Sequence, residues 1–144
     1  MKLCLLLAAL ALSACEKTDD TVALRQEADA MLPYYQAALD ALDVRFADLV
    51  KRGLKLDRPL PGSDNAGRLV AKASGELKQL HQVLGDLPKQ LAANPDEAAL
   101  RRITDDARDQ LDEGMTLVGG ELGTAETWVS HAENEMAETS PAPH

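Results

Sequence analysis

Residues 64–88 read DNAGRLVAKASGELKQLHQVLGDLP. Their apolar members fall at Ala66, Val70, Ala73, Leu77, Leu80, Leu84 and Leu87. The steps alternate four and three, a strict seven-residue repeat over three heptads. Side chains spaced this way share one face of an α-helix, whereas a strand needs a period of two. A sustained seven-residue repeat is the seam of a left-handed helical bundle. Ser63 or Asp64 can cap the start of this helix. Gly85 and Pro88 mark its end, with at most one loose turn over residues 88–93.

The same periodicity appears on both sides. Upstream, the stripe is Leu24, Ala28, Met31, Tyr35, Leu39, Leu42, Phe46 and Leu49, again in threes and fours. Pro33 interrupts it. Proline is comfortable only in a first helical turn, so the segment either kinks near Met31 or starts afresh there. Pro59, Pro61 and Gly62 end it near Leu56. Downstream, the stripe runs Leu100, Ile103, Ala107, Leu111, Met115, Val118, Leu122, Ala125, Val129, Ala132 and Met136. Asn94 stands as N-cap, Pro95 in the first position, and Glu97 completes a capping box. Gly119, Gly120 and Gly123 are the soft point, each costing up to about 1 kcal/mol against alanine.

Segments 33–56, 64–87 and 95–118 are each 24 residues long. At ~1.5 Å per residue each spans about 36 Å, and three matched rods with short connections make an antiparallel bundle. The expected fold class is therefore all-α, an antiparallel bundle of three long helices. The last helix either keeps its phase across Gly119 and Gly120 or breaks there into a fourth. An unbroken last helix projects beyond the bundle over residues 121–137. The bundle domain covers residues 22–137, and residues 138–144, with two prolines and no apolar run, form a disordered tail.

The chain begins Met1-Lys2, and ten residues without a polar group follow, Leu3 to Leu12. A positive charge, a short apolar run and small residues make a secretory signal. The run is too short to span a bilayer, which needs roughly 20 apolar residues. Leu12-Ser13-Ala14-Cys15 resembles the lipobox of bacterial lipoproteins: Leu, two small residues, then Cys. The resemblance covers the first 16 residues or so. It implies that residues 1–14 are a signal peptide cut before Cys15. The Cys15 thiol then receives a diacylglycerol and its new amine a further acyl chain such as palmitate. Residues 15–21 follow as a polar, lipidated tether. Three acyl chains, at ~0.8 kcal/mol per buried methylene, hold a protein on a membrane almost permanently. Glu16 rather than Asp after the lipidated cysteine implies, by the same resemblance, the outer membrane, facing the periplasm.

The whole chain has 144 residues, 15 basic and 24 acidic, for a formal charge of −9. Without residues 1–14 the basic residues fall to 14, so the mature charge is about −10. That surface argues against nucleic acid and against electrostatic adhesion to anionic lipid. With Cys4 gone in the signal and Cys15 taken by lipid, no disulfide is expected. Aromatic residues are only 3%, too few for a stacking platform.

No serine, cysteine or lysine is flanked by a base and an orienting group, so no catalytic residue is assigned and the expectation is a protein that is not an enzyme. His131 and Glu135 share a helix face one turn apart, but catalytic zinc wants three protein ligands, and no metal site is assigned. Bundles of this size resemble cytochrome b562, whose haem takes Met and His ligands. Met31 and His131 would be the candidates, able to meet only in a four-helix version. No CxxCH for covalent haem is present. No cofactor is expected beyond the lipid on Cys15. Residues Leu122, Ala125, Trp128 and Val129 would form a partner-binding edge if they are not packed on the bundle, with Trp128 the best anchor.

Two functions follow. One is an adaptor or escort for an envelope protein, similar in size and anchor to the pilotins that bring secretin subunits to the outer membrane. The other is a structural lipoprotein that self-associates through its heptad seam. A small-ligand, metal or haem binder is a minor third.

Overall fold

The structure, a computed structural model, describes the backbone of residues 2–56, 63–93 and 96–139, and side chains within 20–56, 65–93 and 96–139. Three helices pack against one another: α1 (Lys2–Gly53), α2 (Ser63–Ala93) and α3 (Glu97–Thr139). The bundle is all-α, and the described residues contain no strand. The helices run up, down and up. Three ion pairs between α1 and α3 each join residues 81 apart: Glu27 with Arg108, Arg45 with Glu126, and Arg52 with Glu133. A constant difference means that the two helices are parallel. Against α3, α2 runs the other way, with Lys72 on Glu121 and Leu80 beside Gly114.

The apolar stripes of all three helices meet on one axis. Leu39, Leu49, Leu87, Leu100, Leu111, Val118 and Leu122 are fully buried. Leu42, Phe46, Val70, Ile103 and Met115 pack partly buried against them. At about 1.5–3 kcal/mol for each large apolar side chain, this burial is the main favourable term. Thr104 also sits in the core, 2% exposed, and its hydroxyl donates to the Leu100 carbonyl one turn back at 2.9 Å.

Both internal prolines lie inside unbroken helices. α1 passes through Pro33, and α2 passes through Pro88 to Ala93. Each proline forfeits one helical hydrogen bond, but stopping there would strand apolar residues. Before Pro33 these are Leu24, Ala28 and Met31, and beyond Pro88 there is Leu91, all buried. The extra turn of α2 is tied to α1, where the Arg25 guanidinium donates to the Leu91 carbonyl at 2.9 Å. That carbonyl is among the last four of its helix and has no acceptor role within it.

The glycines at 119, 120 and 123 do not break α3, which is one helix of 43 residues. No fourth helix forms among the described residues. Nor does the far half of α3 project. Because α1 starts well before Pro33, it lies alongside α3 for most of its length, and Leu122, Ala125, Val129 and Ala132 are buried. The capping expectation moves by two residues. Asp96 is the N-cap of α3: its carboxylate accepts from the Ala99 amide at 3.1 Å and its carbonyl from Leu100 at 2.9 Å. Asn94 and Pro95 lie outside the described residues, as do residues 57–62 and 140–144.

α1 ends at Gly53 with Lys51 and Arg52 in its last turn, where basic side chains suit the negative helix end. α3 runs on to Thr139, two residues into the stretch expected to be a tail. At the other end α1 is helical through residues 15–21, where the sequence suggested a short tether. That stretch contains neither glycine nor proline, so nothing in it stops a helix. Carrying the α1–α3 offset of 81 back along α1 sets Glu97 level with Glu16, so the residues before Glu16 run past the start of α3. Among the described residues no helix is long and apolar enough to cross a membrane.

Candidate functional site

The expected partner edge resolves into two unlike parts. Leu122, Ala125 and Val129 are 0%, 0% and 5% exposed and belong to the core. They are not a free edge, because α1 covers the far half of α3. Trp128 alone stays on the surface, 38% exposed. Met136 is half-buried.

Trp128 ends a second stripe on α3 that lies beside the core stripe: Asp106, Gln110, Glu113, Leu117, Glu121, Thr124, Trp128. Its steps are also threes and fours, so these residues share one helix side. Its first four members, Asp106, Gln110, Glu113 and Leu117, line the outer groove between α2 and α3. Two hollows make up the groove, about 450 Å³ and 240 Å³, and both are lined by Gln79, Val83 and Gln110. The floor is apolar: Val83, Leu87, Ile103 and Ala107 in the larger hollow, and Leu80 and Leu117 in the smaller. Leu117 is 49% exposed. Four glutamines, Gln79, Gln82, Gln90 and Gln110, line the walls with Glu76, Asp86, Asp106 and Glu113. Neither hollow is lined by a lysine, an arginine or any α1 residue.

In the smaller hollow the two helices approach closely at Gly114 and Leu80. A Cβ built on Gly114 would collide with Leu80 Cδ2. At the far end of the groove Lys72 crosses from α2 to reach Glu121, and its ammonium lies 3.5 Å from Glu76. The Lys72 ammonium holds its proton more tightly than an ordinary lysine, chiefly through the hydrogen bond to Glu121 and then through that carboxylate's charge. The second oxygens of Glu76 and Glu121, both Oε2, are buried without a hydrogen-bond donor.

The seam between α1 and α3 carries ion pairs. Arg52 holds Glu133 by two hydrogen bonds, 3.0 and 2.7 Å, and also reaches Ser130 at 2.9 Å. This keeps the Glu133 carboxyl below its usual range. Tyr35, 4% exposed, donates to Asp112 at 2.8 Å. Burial first, then that hydrogen bond and the Asp112 charge, push the phenol up to about 12. A third hollow, about 350 Å³, lies between α1 and α2 with Pro33, Pro88 and Gly85 in its walls. His81 borders it and lies 2.7 Å from Asp43.

The remaining sequence candidates stay apart. His131 pairs with Glu135 at 3.0 Å, and its side chain is 67% exposed. Met31 is buried in the core near the middle of α1. The parallel offset of 81 sets Met31 level with Asp112, some 19 residues from His131, so the two do not meet. Among the described residues no three His, Cys, Asp or Glu side chains gather as a metal set. Cys15 and its neighbours Leu12, Ser13 and Ala14 lie in α1 where only the backbone is described.

Sequence reading missed Gly114, Asp112, Glu76, Glu121 and the outer stripe. The stripe was legible as a second run of threes and fours one step round from the core. The cross-helix pairings were not, because they depend on register. No protein-family model, no curated protein and no solved structure matches this chain.

Proposed function

We propose that this protein is a lipid-anchored envelope lipoprotein that acts as an adaptor or escort for another protein of the periplasm. Cys15 carries the lipid, and the bundle presents the binding surface. The observation that carries the reading is the Leu12-Ser13-Ala14-Cys15 box behind a short charged and apolar leader. Its place in the fold is consistent with this. The offset between α1 and α3 leaves Cys15 one residue beyond the start of α3, so cleavage there would remove the leader and leave in place every core residue among the described side chains. Trp128 and the outer groove are surfaces free for a partner.

The adaptor reading is favoured over self-association by one observation. Every residue of the seam Ala66, Val70, Ala73, Leu77, Leu80, Leu84, Leu87 packs in or against the chain's own core, so the heptads are already filled within one chain. No residue is assigned to catalysis, and no cofactor beyond the lipid.

Cross-linking in living cells tests this. The intact protein should capture one envelope protein in near-equal amount, and the Cys15→Ser form should not. Capture of nothing but further copies of the chain would replace the adaptor reading with a structural one.

A further inference from the structure

We propose that the outer groove between α2 and α3 docks a cationic amphipathic helix of a partner protein. This rests on the adaptor reading and gives it a surface and a partner chemistry. From Glu76 to Gln90 the α2 wall advances by 14 residues, ~21 Å, which is room for about four turns of a docked helix. The floor of Val83, Ile103 and Leu117 offers the apolar strip that an amphipathic helix covers, and no α1 residue competes for it. A helix laid there would complete a four-helix arrangement.

The charge of the walls selects the occupant. Carboxylates stand on both sides of the floor, Glu76 and Asp86 on α2 and Asp106 and Glu113 on α3. Lysines at the edges answer the first two: Lys72 lies 3.5 Å from Glu76, and Lys89 lies 3.0 Å from Asp86. Asp106 and Glu113 make no ion pair among the described residues. At the Leu117 end a single Lys72 ammonium serves both Glu76 and Glu121, and the buried Oε2 of each has no donor.

The same charges argue against other occupants. A second copy would bring a chain of formal charge −9 onto carboxylates. The chain's own last five residues, 140–144, contain no lysine or arginine, and the leader contains only Lys2. A helix with leucines along one stripe and lysines or arginines flanking them is complementary on both counts.

Two labelled peptides of about 18 residues test this, with the same leucine stripe flanked by lysines in one and by glutamates in the other. The protein is the chain from residue 16, which holds every core residue among the described side chains, after circular dichroism and melting have established that it folds. The lysine peptide should bind at least about tenfold more tightly than the glutamate peptide. Asp106→Lys with Glu113→Lys should weaken it about tenfold or more, while Asp29→Lys with Asp40→Lys, the same charge change on α1, should stay within about twofold. Leu117→Ser, at an exposed floor position, should weaken it too.

Equal weakening by both lysine pairs would mean bulk charge rather than a groove and would overturn the proposal. Absence of binding, or equal binding of both peptides, would overturn it also. So would a dimer in sedimentation that the Asp106→Lys, Glu113→Lys variant dissolves, since the occupant would then be a second copy. The cellular cross-linking separates the two claims. A partner captured equally by wild type and by this variant would remove the groove and leave the adaptor. An anchored wild type that captures no partner would remove the adaptor, and the peptide result would then decide the groove alone.

Discussion

Among single residues, the four glycines in the middle of α3 have opposite roles. A methyl at Gly114 would collide with the Leu80 side chain across the α2–α3 interface, whereas one at Gly119, Gly120 or Gly123 meets nothing within 4 Å. Gly114→Ala should therefore destabilise the bundle by about 1–3 kcal/mol through overpacking. Gly119→Ala or Gly120→Ala should stabilise it by up to about 1 kcal/mol, through the lost freedom of the unfolded chain. Urea unfolding of the three variants checks the signs, and a stabilising Gly114→Ala would refute the close approach. From sequence alone the cluster at 119, 120 and 123 drew attention because three glycines in five residues look like a break. The glycine that matters packs across a helix interface, and only the register reveals it. Tyr35 gives a second residue-scale test. Its folded pKa of about 12 lies above the ordinary phenol value of 10.0, so its contribution is full below pH 10 and is lost as pH rises towards 12. Alkaline unfolding curves of wild type and Tyr35→Phe should converge across that window. Curves that remain parallel through it would assign the difference to another group.

At the scale of the element, α3 shows how far a period can be trusted. Every residue of the expected α3 stripe is buried or partly buried, from Leu100 to Met136. The period was legible because burial on one side of a helix is all it requires. What could not be read was that Pro33 and Pro88 stay inside their helices, since the local penalty of proline is visible in sequence and the buried residues beyond it are not. That error placed residues 121–137 outside the bundle and made Leu122 and Val129 look like a free edge. The corrected element predicts a sharp contrast along one turn or two. Leu122→Ala should cost about 2–5 kcal/mol, because it opens a cavity in the core. Trp128→Ala, at the surface, should leave the melting temperature within a few degrees. A Trp128→Ala variant that unfolds as readily as Leu122→Ala would place the indole in the core. The α1–α3 pairing adds a pH signature. Glu133 is held below its usual range by Arg52, so its contribution is present above pH 4.5 and fades as pH falls through the lowered folded value. The stability difference between wild type and Glu133→Gln, roughly 1 kcal/mol or less for so exposed a pair, should shrink towards zero in acid. A difference that persists at pH 2 would place its origin in packing instead.

For the molecule as a whole, α1 and α3 run parallel with α2 returning between them, so the leader end of α1 and the α2–α3 connection share one end of the bundle. A lipid on Cys15 would set that end at the membrane. The outer groove would start close to the membrane at Gln90 and Ile103 and lead away from it towards Leu117, with Trp128 farther out. In the lipoprotein proposed here, a mature charge of about −10 would keep the body away from anionic headgroups and leave attachment to the lipid. The composition already implied that division of labour. The placement of the groove required the register. The lipoprotein reading depends on Cys15, so the most direct measurement is the intact mass of the protein recovered from its own cells. The account predicts a membrane-bound chain that begins at Cys15 and carries a diacylglycerol and a third acyl group. A chain with an unmodified Cys15, or one released in soluble form and cut elsewhere, would contradict it.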